Sequence, residues 1–414
     1  MKVIVVGAGA AGLMAAHDLV ANGAEVLLLE SLNRTGGRIH TQNLPGFTNH
    51  VEAGAEFIHG NLPLTLKLMK QSGLTYTPTS GKMYQSVNGK LQCGFGENKS
   101  WEDFYEAMSD LKNDRTVSEL LDFQFKAKKY EKLRREVSDR AQGLDLADIS
   151  RLSVFGIRGE WANEETQFRP DSGYSELLQW LYNQTVSPKF KLILNQKVER
   201  IDWANDEVTV FTNTESFHAD AVLLTLPPVF YKDIAFLPQI QDTISLFETI
   251  GFGEVTKLAL EFEWPFWEND YPDLGFLFAA EGFTFWTQYP KRSPLLIGWL
   301  GNDYAGNYDK FSDEELLKKA LLNLEKAFHS KFPVKELYRT GTVFRHTKNS
   351  VSRGGYSWPT PQTRKSVKTL QKGIENTIWF AGEALYLEKG AATVEAALQS
   401  GKKAASEIIK SLKK

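Results

Sequence analysis

A chain of 414 residues, 42% apolar and 24% charged, has the length for about two domains and the balance of an ordinary globular protein, not of a disordered one. Its formal net charge of −3 offers no basic surface to neutralise phosphates, which argues against a nucleic-acid partner. The single cysteine, Cys93, rules out an intrachain disulfide and a multi-thiolate metal site, so no metal is expected and the thiol reads as buried or idle.

In chain order, KVIVVGAGAAGLMAAHDLVANGAEVLLLE reads as strand, glycine turn, helix, strand: a β-branched run, apolar residues at helical spacing, Gly23 where the helix should stop, then EVLLLE. Such a βαβ unit implies parallel strands, a right-handed crossover and a covered sheet. The start lacks a charged leader with an apolar h-region, and the lysine-rich SEIIKSLKK holds nothing near the ~20 apolar residues of a bilayer span. A cytoplasmic protein without a membrane anchor is expected. Residues 100–142 look helical and charged, and the run KAKKYEKLRRE, with glutamates interleaved, reads as a solvated helix face. ADAVLLTLPPVF is a strand stopped by Pro227 and Pro228. In GFGEVTKLALEFEWPFW the side chains alternate from Val255, with Leu258, Leu260, Phe262 and Trp264 on one face and Lys257, Ala259, Glu261 and Glu263 on the other. By pattern alone Lys257 is a solvated charge. DEELLKKALLNLEKAF returns to helical period behind Ser312 as N-cap, and the chain closes with NTIWFAGEA as strand and turn, then TVEAALQSGKKAASEIIKSL as a helix. With no internal repeat and no run that reads as a linker, the domains are expected to interleave along the chain.

The opening unit carries chemistry. Gly7, Gly9 and Gly12 form G-x-G-x-x-G directly after a strand and at the head of a helix, the context that motif requires, with Ala11 in the same turn. Gly7 permits the tight turn, Gly9 lets the backbone approach a pyrophosphate, and Gly12 allows close helix–strand packing, while the helix N-terminus supplies unpaired N–H groups. Glu30, at the end of the second strand, can accept from both ribose hydroxyls and would repel a 2′-phosphate. NAD and FAD both remain open at this point.

The segments that follow are NRTGGRIHT, GAEFIHG, NQKVERI, GFGEVTKLALEFEWPFW, SRGGYSW and WFAGEALYLEKGAATVEAALQSG. With these the chain resembles the FAD-dependent amine oxidase family, of the monoamine oxidase, polyamine oxidase and lysine demethylase type, over nearly its whole length, with residues 82–165 carrying little of the resemblance. The resemblance implies FAD, with Gly37 and Arg38 at its phosphates, Gly54, Ala55, Glu56 and Phe57 passing the isoalloxazine, and the backbone of Val198 holding the adenine. It also implies Gly382 and Glu383 near the ribityl or phosphate region and Val394 at the flavin N1–C2=O2 edge. Lys257 matches the family lysine that reaches flavin N5 through a water, which reverses the solvated reading. Tyr356 matches a tyrosine beside the flavin, Thr393 stands where monoamine oxidases have a second one, and His59 borders the substrate channel. Gly355 occupies the position of the flavin-linked cysteine of covalent relatives, so FAD is expected to be non-covalent. His346 stands where the family has a tryptophan.

The expected fold is α/β: a Rossmann-type FAD-binding domain from residues 1–80, 190–235 and 366–414, interleaved with an α+β substrate-binding domain from 81–189 and 236–365 built on a mixed sheet and helices. The function that the resemblance implies is oxidation of a small primary or secondary amine to an imine by hydride transfer to FAD N5, with O2 reoxidising the flavin to give hydrogen peroxide. Three alternatives stay open: an L-amino-acid oxidase, for which Arg169, Arg345 or Arg353 could clamp a carboxylate; a porphyrinogen- or carotenoid-type FAD oxidase or desaturase; and a non-catalytic FAD-binding redox sensor.

Overall fold

The runs KVIVV, EVLLL, AVLL and IWF have almost no polar interruption, as strands covered on both faces must. In the computed structural model, which describes residues 1–79, 81–87, 90–94, 98–162, 166–328 and 333–411, they pair as one parallel sheet. Its order is Phe190–Ile193, Glu25–Leu29, Lys2–Val6, Ala221–Leu224, Ile378–Phe380. One face is covered by the helices Ala10–Ala21, Tyr174–Thr185 and Val394–Ser411, through residues such as Leu13, Leu177, Leu181 and Leu398 packed on Val3, Val5, Val26 and Leu28. The other face meets a four-stranded sheet containing Val198–Ala204 and Glu207–Thr212, whose Ile201, Val208 and Val210 pack on Ile4, Val6, Leu27 and Leu29. The helix Val394–Ser411 crosses the first helix at Gly401, where a Cβ would stand 2.1 Å from the Ala11 carbonyl oxygen. Tyr174–Thr185, inside the stretch 81–189 assigned above to the substrate domain, packs in this same core because its buried face is leucine-rich.

A seven-stranded sheet forms the second layer system, in the order Tyr338–His346, Val255–Phe262, Leu295–Gly301, Thr284–Trp286, Leu274–Phe278, Lys82–Val87, Lys90–Cys93. The helix Asp313–Ala327 covers one face, laying Leu316, Ala320 and Leu324 on Leu258, Leu260 and Phe262. That helix starts where the sequence says it should: Glu315 N donates to Ser312 Oγ at 3.3 Å and Ser312 N donates back to Glu315 Oε2 at 2.8 Å, a reciprocal cap. The opposite face of the sheet, with Ala259, Trp286 and Ile297, closes on Val51 and Phe57 from the nucleotide side. All eight residues of Val255–Phe262 are therefore buried, Lys257 and Glu261 included: the face that alternation alone would give to solvent is covered, as the resemblance implies for Lys257. The strand also stops at Phe262, so Trp264 leaves the apolar face and is 36% exposed.

The helices Lys99–Asp110, Val117–Gln124, Glu131–Gly143 and Val154–Trp161 form a separate cluster around Trp101, Phe104, Leu120 and Trp161. Cys93 is exposed, not buried. Among the described residues no helix is long and apolar enough to cross a membrane.

Candidate active site

The parallel sheet, the seven-stranded sheet and the helical cluster enclose one cavity of ≈ 2130 Å³. Its first end lies over the glycine turn. Gly7 has φ +101°, a conformation L side chains rarely adopt, and a Cβ on Gly12 would fall 1.8 Å from the Gly7 carbonyl oxygen. The turn therefore brings the head of helix Ala10–Ala21 into the cavity with no side-chain cap and no acidic residue in its first turn. Beside it, Gly36 N donates to Ala8 O at 2.8 Å, so the second glycine pair lies against the first. Glu30 is buried, and its Oε2 accepts from Ala8 N at 2.7 Å while Oε1 accepts from Leu32 N at 2.9 Å. A carboxylate offers about four lone-pair sites, so acceptor capacity remains for a ribose. Gly9, Ala11, Gly37 and Val198 line this same end. Anion-ready helix N–H groups, a ribose acceptor and an elongated cavity between them fit a dinucleotide on the residues present.

Arg38 joins the cradle to the middle of the cavity. Its Nη1 donates to Glu383 Oε1 and to Gly355 O, each at 2.8 Å, and Ser357 Oγ donates to the other Glu383 oxygen at 2.6 Å. Both Arg38 bonds use one nitrogen, leaving the other donors of the guanidinium for an anion. Gly382, with φ +141°, sets Glu383 at the head of this contact. The segment from Gly54 runs pressed to Arg38, since a Cβ on Gly54 would meet the Arg38 carbonyl oxygen at 1.9 Å, and it carries Ala55, Glu56 and Phe57 along the cavity wall.

Lys257 reaches this wall from the seven-stranded sheet. Only 1% of its side chain is exposed, and Nζ donates to Glu56 Oε2 at 2.7 Å and to Gly54 O at 3.2 Å. The other Glu56 oxygen accepts from Arg169 Nε and Trp286 Nε1, each at 3.0 Å. Burial alone would raise the Glu56 carboxyl, but the Lys257 and Arg169 charges and the hydrogen bonds from Lys257 and Trp286 outweigh it and bring it down to about 2. Nothing in the sequence marks this network: the resemblance places Glu56 along the isoalloxazine and gives its carboxylate no partner, and Lys257 is 201 residues away.

Tyr356 lines the far end. Its hydroxyl donates to Leu144 O, and its ring stacks on Trp299 at 6.4 Å and 21°. Trp299 Nε1 donates to Gly143 O at 2.7 Å, so the end of the helix Glu131–Gly143 anchors both rings. Burial first, then the nearby Asp145, Glu160 and Glu383 charges, raise the Tyr356 phenol well above its ordinary value. Asp145 and Glu160 line the cavity too. Both Asp145 oxygens accept from Trp161 Nε1 at 3.2 Å, and burial followed by Glu160 repulsion pushes its carboxyl up to about 7 against the pull of Arg140. Neither carboxylate was a sequence candidate, because residues 82–165 carry little of the resemblance.

Thr393 and His59 line the cavity without meeting Lys257 or Tyr356 in a hydrogen bond. The Thr393 hydroxyl donates to Gly390 O and accepts from Ala396 N at 3.4 Å, so it caps the helix that begins at Val394. His59 is exposed, but into the cavity, and enclosure there pushes its imidazole down to about 4. His346 Nε2 donates to Ala53 O at 2.8 Å and Nδ1 accepts from Ser352 Oγ at 3.0 Å, so this residue props the segment before Gly54. Each arginine considered for a carboxylate clamp already has an acidic partner: Arg169 has Glu56, Arg345 has Asp309 and Asp313, and Arg353 has Asp233.

Comparison with known proteins agrees with this geometry. A family model described as flavin containing amine oxidoreductase matches residues 10–160 and 83–409. The chain is 25% identical to lysine-specific histone demethylase 1 homolog 1 of Arabidopsis thaliana over 99% of its own length and 52% of that protein's. It is 26% identical to polyamine oxidase 4 of Oryza sativa subsp. japonica, over 99% of this chain and 88% of that one. It thus spans about half the length of the demethylase relatives, 52% and 58% for the two from Arabidopsis thaliana. Among solved structures, cyclohexylamine oxidase from Brevibacterium oxydans IH-35A superposes with a TM-score of 0.85 at 21% identity, covering 100% of this chain and 99% of that one. Wild-type putrescine oxidase bound to putrescine superposes at 0.83 with 18% identity, covering 99% of each. At these identities the structural matches speak for the fold.

Proposed function

The chain belongs to the flavin-containing amine oxidoreductases and its cofactor is FAD; from that premise we propose that it oxidises a small primary or secondary amine to an imine, with O2 as acceptor and hydrogen peroxide as product. FAD, when bound, supplies the electron sink for the hydride lost from the carbon bearing nitrogen. The protein's part is to bind, orient and keep water out. Gly7, Gly9, Glu30 and Arg38 would hold the dinucleotide, with Gly12 keeping the helix close to the turn, and non-covalent attachment follows from Gly355 preceding Tyr356 and from Cys93 lying off the cavity lining. Tyr356 and Trp299 present an aromatic wall against which an amine can be oriented. Lys257 keeps a positive charge at the wall where oxygen would be reduced.

One observation carries this reading: the far end of the cavity joins aromatic faces to the carboxylates Asp145 and Glu160, while each of the three candidate clamp arginines already has an acidic partner that offsets its charge. Such a surface favours a cationic substrate over an amino acid's carboxylate or an uncharged carbon framework. The same pair supports a finer reading, that the substrate carries a second cationic nitrogen at its far end. Anaerobic mixing of the FAD-loaded protein with amines, diamines, L-amino acids and a polyene tests both readings. Loss of the flavin band at about 450 nm with amines, fastest with diamines, is the expected result. Bleaching by amino acids alone, or by nothing, would overturn the proposal.

A further inference from the structure

The sequence puts a glutamate in the segment that passes the cavity wall, and the fold turns that glutamate onto Lys257. Glu56 is shared: one oxygen holds Lys257 Nζ at 2.7 Å, the other holds Arg169 Nε and Trp286 Nε1 at 3.0 Å. Its partners come from three different strands, Gln167–Pro170, Val255–Phe262 and Thr284–Trp286. Two cations on one buried carboxylate leave a net positive charge at the cavity wall. A buried ammonium with no anion beside it is strongly disfavoured, so Glu56 is what allows Lys257 to sit there as an ion. Nζ has three donors; Glu56 and Gly54 O take two, and one remains.

We propose that Glu56 is a positioning residue for the return of electrons to oxygen: by pairing with Lys257 it fixes that side chain as an ammonium ion in one place, and so keeps reoxidation insensitive to pH across the neutral range. In that step O2 takes two electrons and one proton from the reduced flavin, which is oxidised, and a second proton from solvent to become hydrogen peroxide; the fixed charge favours the arrival of the first electron, and Lys257 gives up no proton in net. The other charged and titratable groups around the pair do not replace Glu56. Glu52, pushed up to about 7 chiefly by burial, is spoken for by Thr41 Oγ1 and Tyr174 N. His50 and His346 are held below their ordinary values, in each case mainly by burial, and Arg38 is engaged with Glu383.

The inference rests on the oxidase reading above, and its test separates the two because the flavin is reduced with dithionite, with no amine present. The FAD-loaded wild type, Glu56→Gln, Lys257→Met and the double variant are reduced anaerobically and mixed with oxygen from about pH 6 to about pH 9. Wild type should vary little, by no more than the small change that Glu52, raised to about 7 near Lys257, imposes, whereas Glu56→Gln should slow by about tenfold for each pH unit over which its unpaired Lys257 loses the proton. Lys257→Met should be slow and flat, and the double variant should match it. Melting midpoints give a readout apart from turnover: Glu56→Gln should lower the midpoint by several degrees and the double variant should recover part of the loss, since the buried Lys257 ammonium is then gone and only Arg169 has lost its carboxylate. A Glu56→Gln profile that overlays wild type overturns the proposal. So does a double variant slowed below Lys257→Met, because Glu56 would then act without Lys257.

Discussion

The two ends of the cavity are built in opposite ways. At the end that we assign to the nucleotide, the surface offered is backbone: a left-handed glycine, a bare helix terminus and a second glycine pair all come from residues 7–37, and one buried carboxylate completes them. At the substrate end every feature is a side chain, and the parts come from far apart: Glu56, Asp145, Arg169, Lys257, Trp299 and Tyr356 converge from six stretches of chain. The contrast predicts two kinds of mutational response. Damage to the cradle should abolish cofactor retention as a whole, whereas changes at the far end should alter rate or preference one contact at a time.

The largest effect should come from Gly12→Val. A Cβ there meets the Gly7 carbonyl oxygen at 1.8 Å, a backbone atom that cannot move without opening the turn. The purified variant should be colourless and take up no FAD, read by the absorbance of the dialysed protein; retention of the full yellow complement would mean that the helix is not held as described. Next in size, Arg38→Lys keeps a cation for Glu383 but loses the planar fork, and should weaken FAD by about tenfold, about 1.4 kcal/mol. Fluorescence titration of the apoprotein measures it.

A smaller and more selective effect is expected at Asp145. Its carboxyl, raised to about 7, is largely neutral below that pH and charged above it, so attraction for a far-end ammonium should grow as pH rises through about 7. Asp145→Asn should then lower kcat/KM for an α,ω-diamine by about tenfold above that point. It should leave a monoamine of matching amine basicity unchanged and remove the difference between their pH profiles. Equal losses for both substrates would move Asp145 from recognition to support of the helix end.

How far this contrast could be read in advance follows from the distance between the parts. The cradle is contiguous, so spacing and residue type carried it, just as the apolar runs carried the parallel strands and Ser312 with Glu315 carried a helix start. Alternation misled where burial is decided by other segments. Lys257 and Glu261 share a face with Ala259 and looked solvated, yet that face closes on Val51 and Phe57, about two hundred residues earlier. Asp145 and Glu160 carried no local signature at all, since a carboxylate near a helix end is unremarkable until the fold puts it beside Tyr356.

The smallest predicted effect tests whether a residue belongs to the cradle or to the chemistry. Thr393 occupies a position where a hydroxyl could touch substrate, but in the structure its side chain donates to Gly390 O and accepts from Ala396 N, which makes it the cap of the helix whose first residue is Val394. A cap of this kind contributes about 1 kcal/mol to stability. Thr393→Ala should therefore lower the melting midpoint by a few degrees and leave kcat for a good amine within about twofold, a factor worth only about 0.4 kcal/mol. Thr393→Ser, which keeps the cap, should restore the midpoint. If kcat instead fell by an order of magnitude in Thr393→Ala while the midpoint held, the hydroxyl would have to be acting on substrate, and the division between a backbone-built cradle and a side-chain-built far end would run one residue earlier than the hydrogen bonds place it.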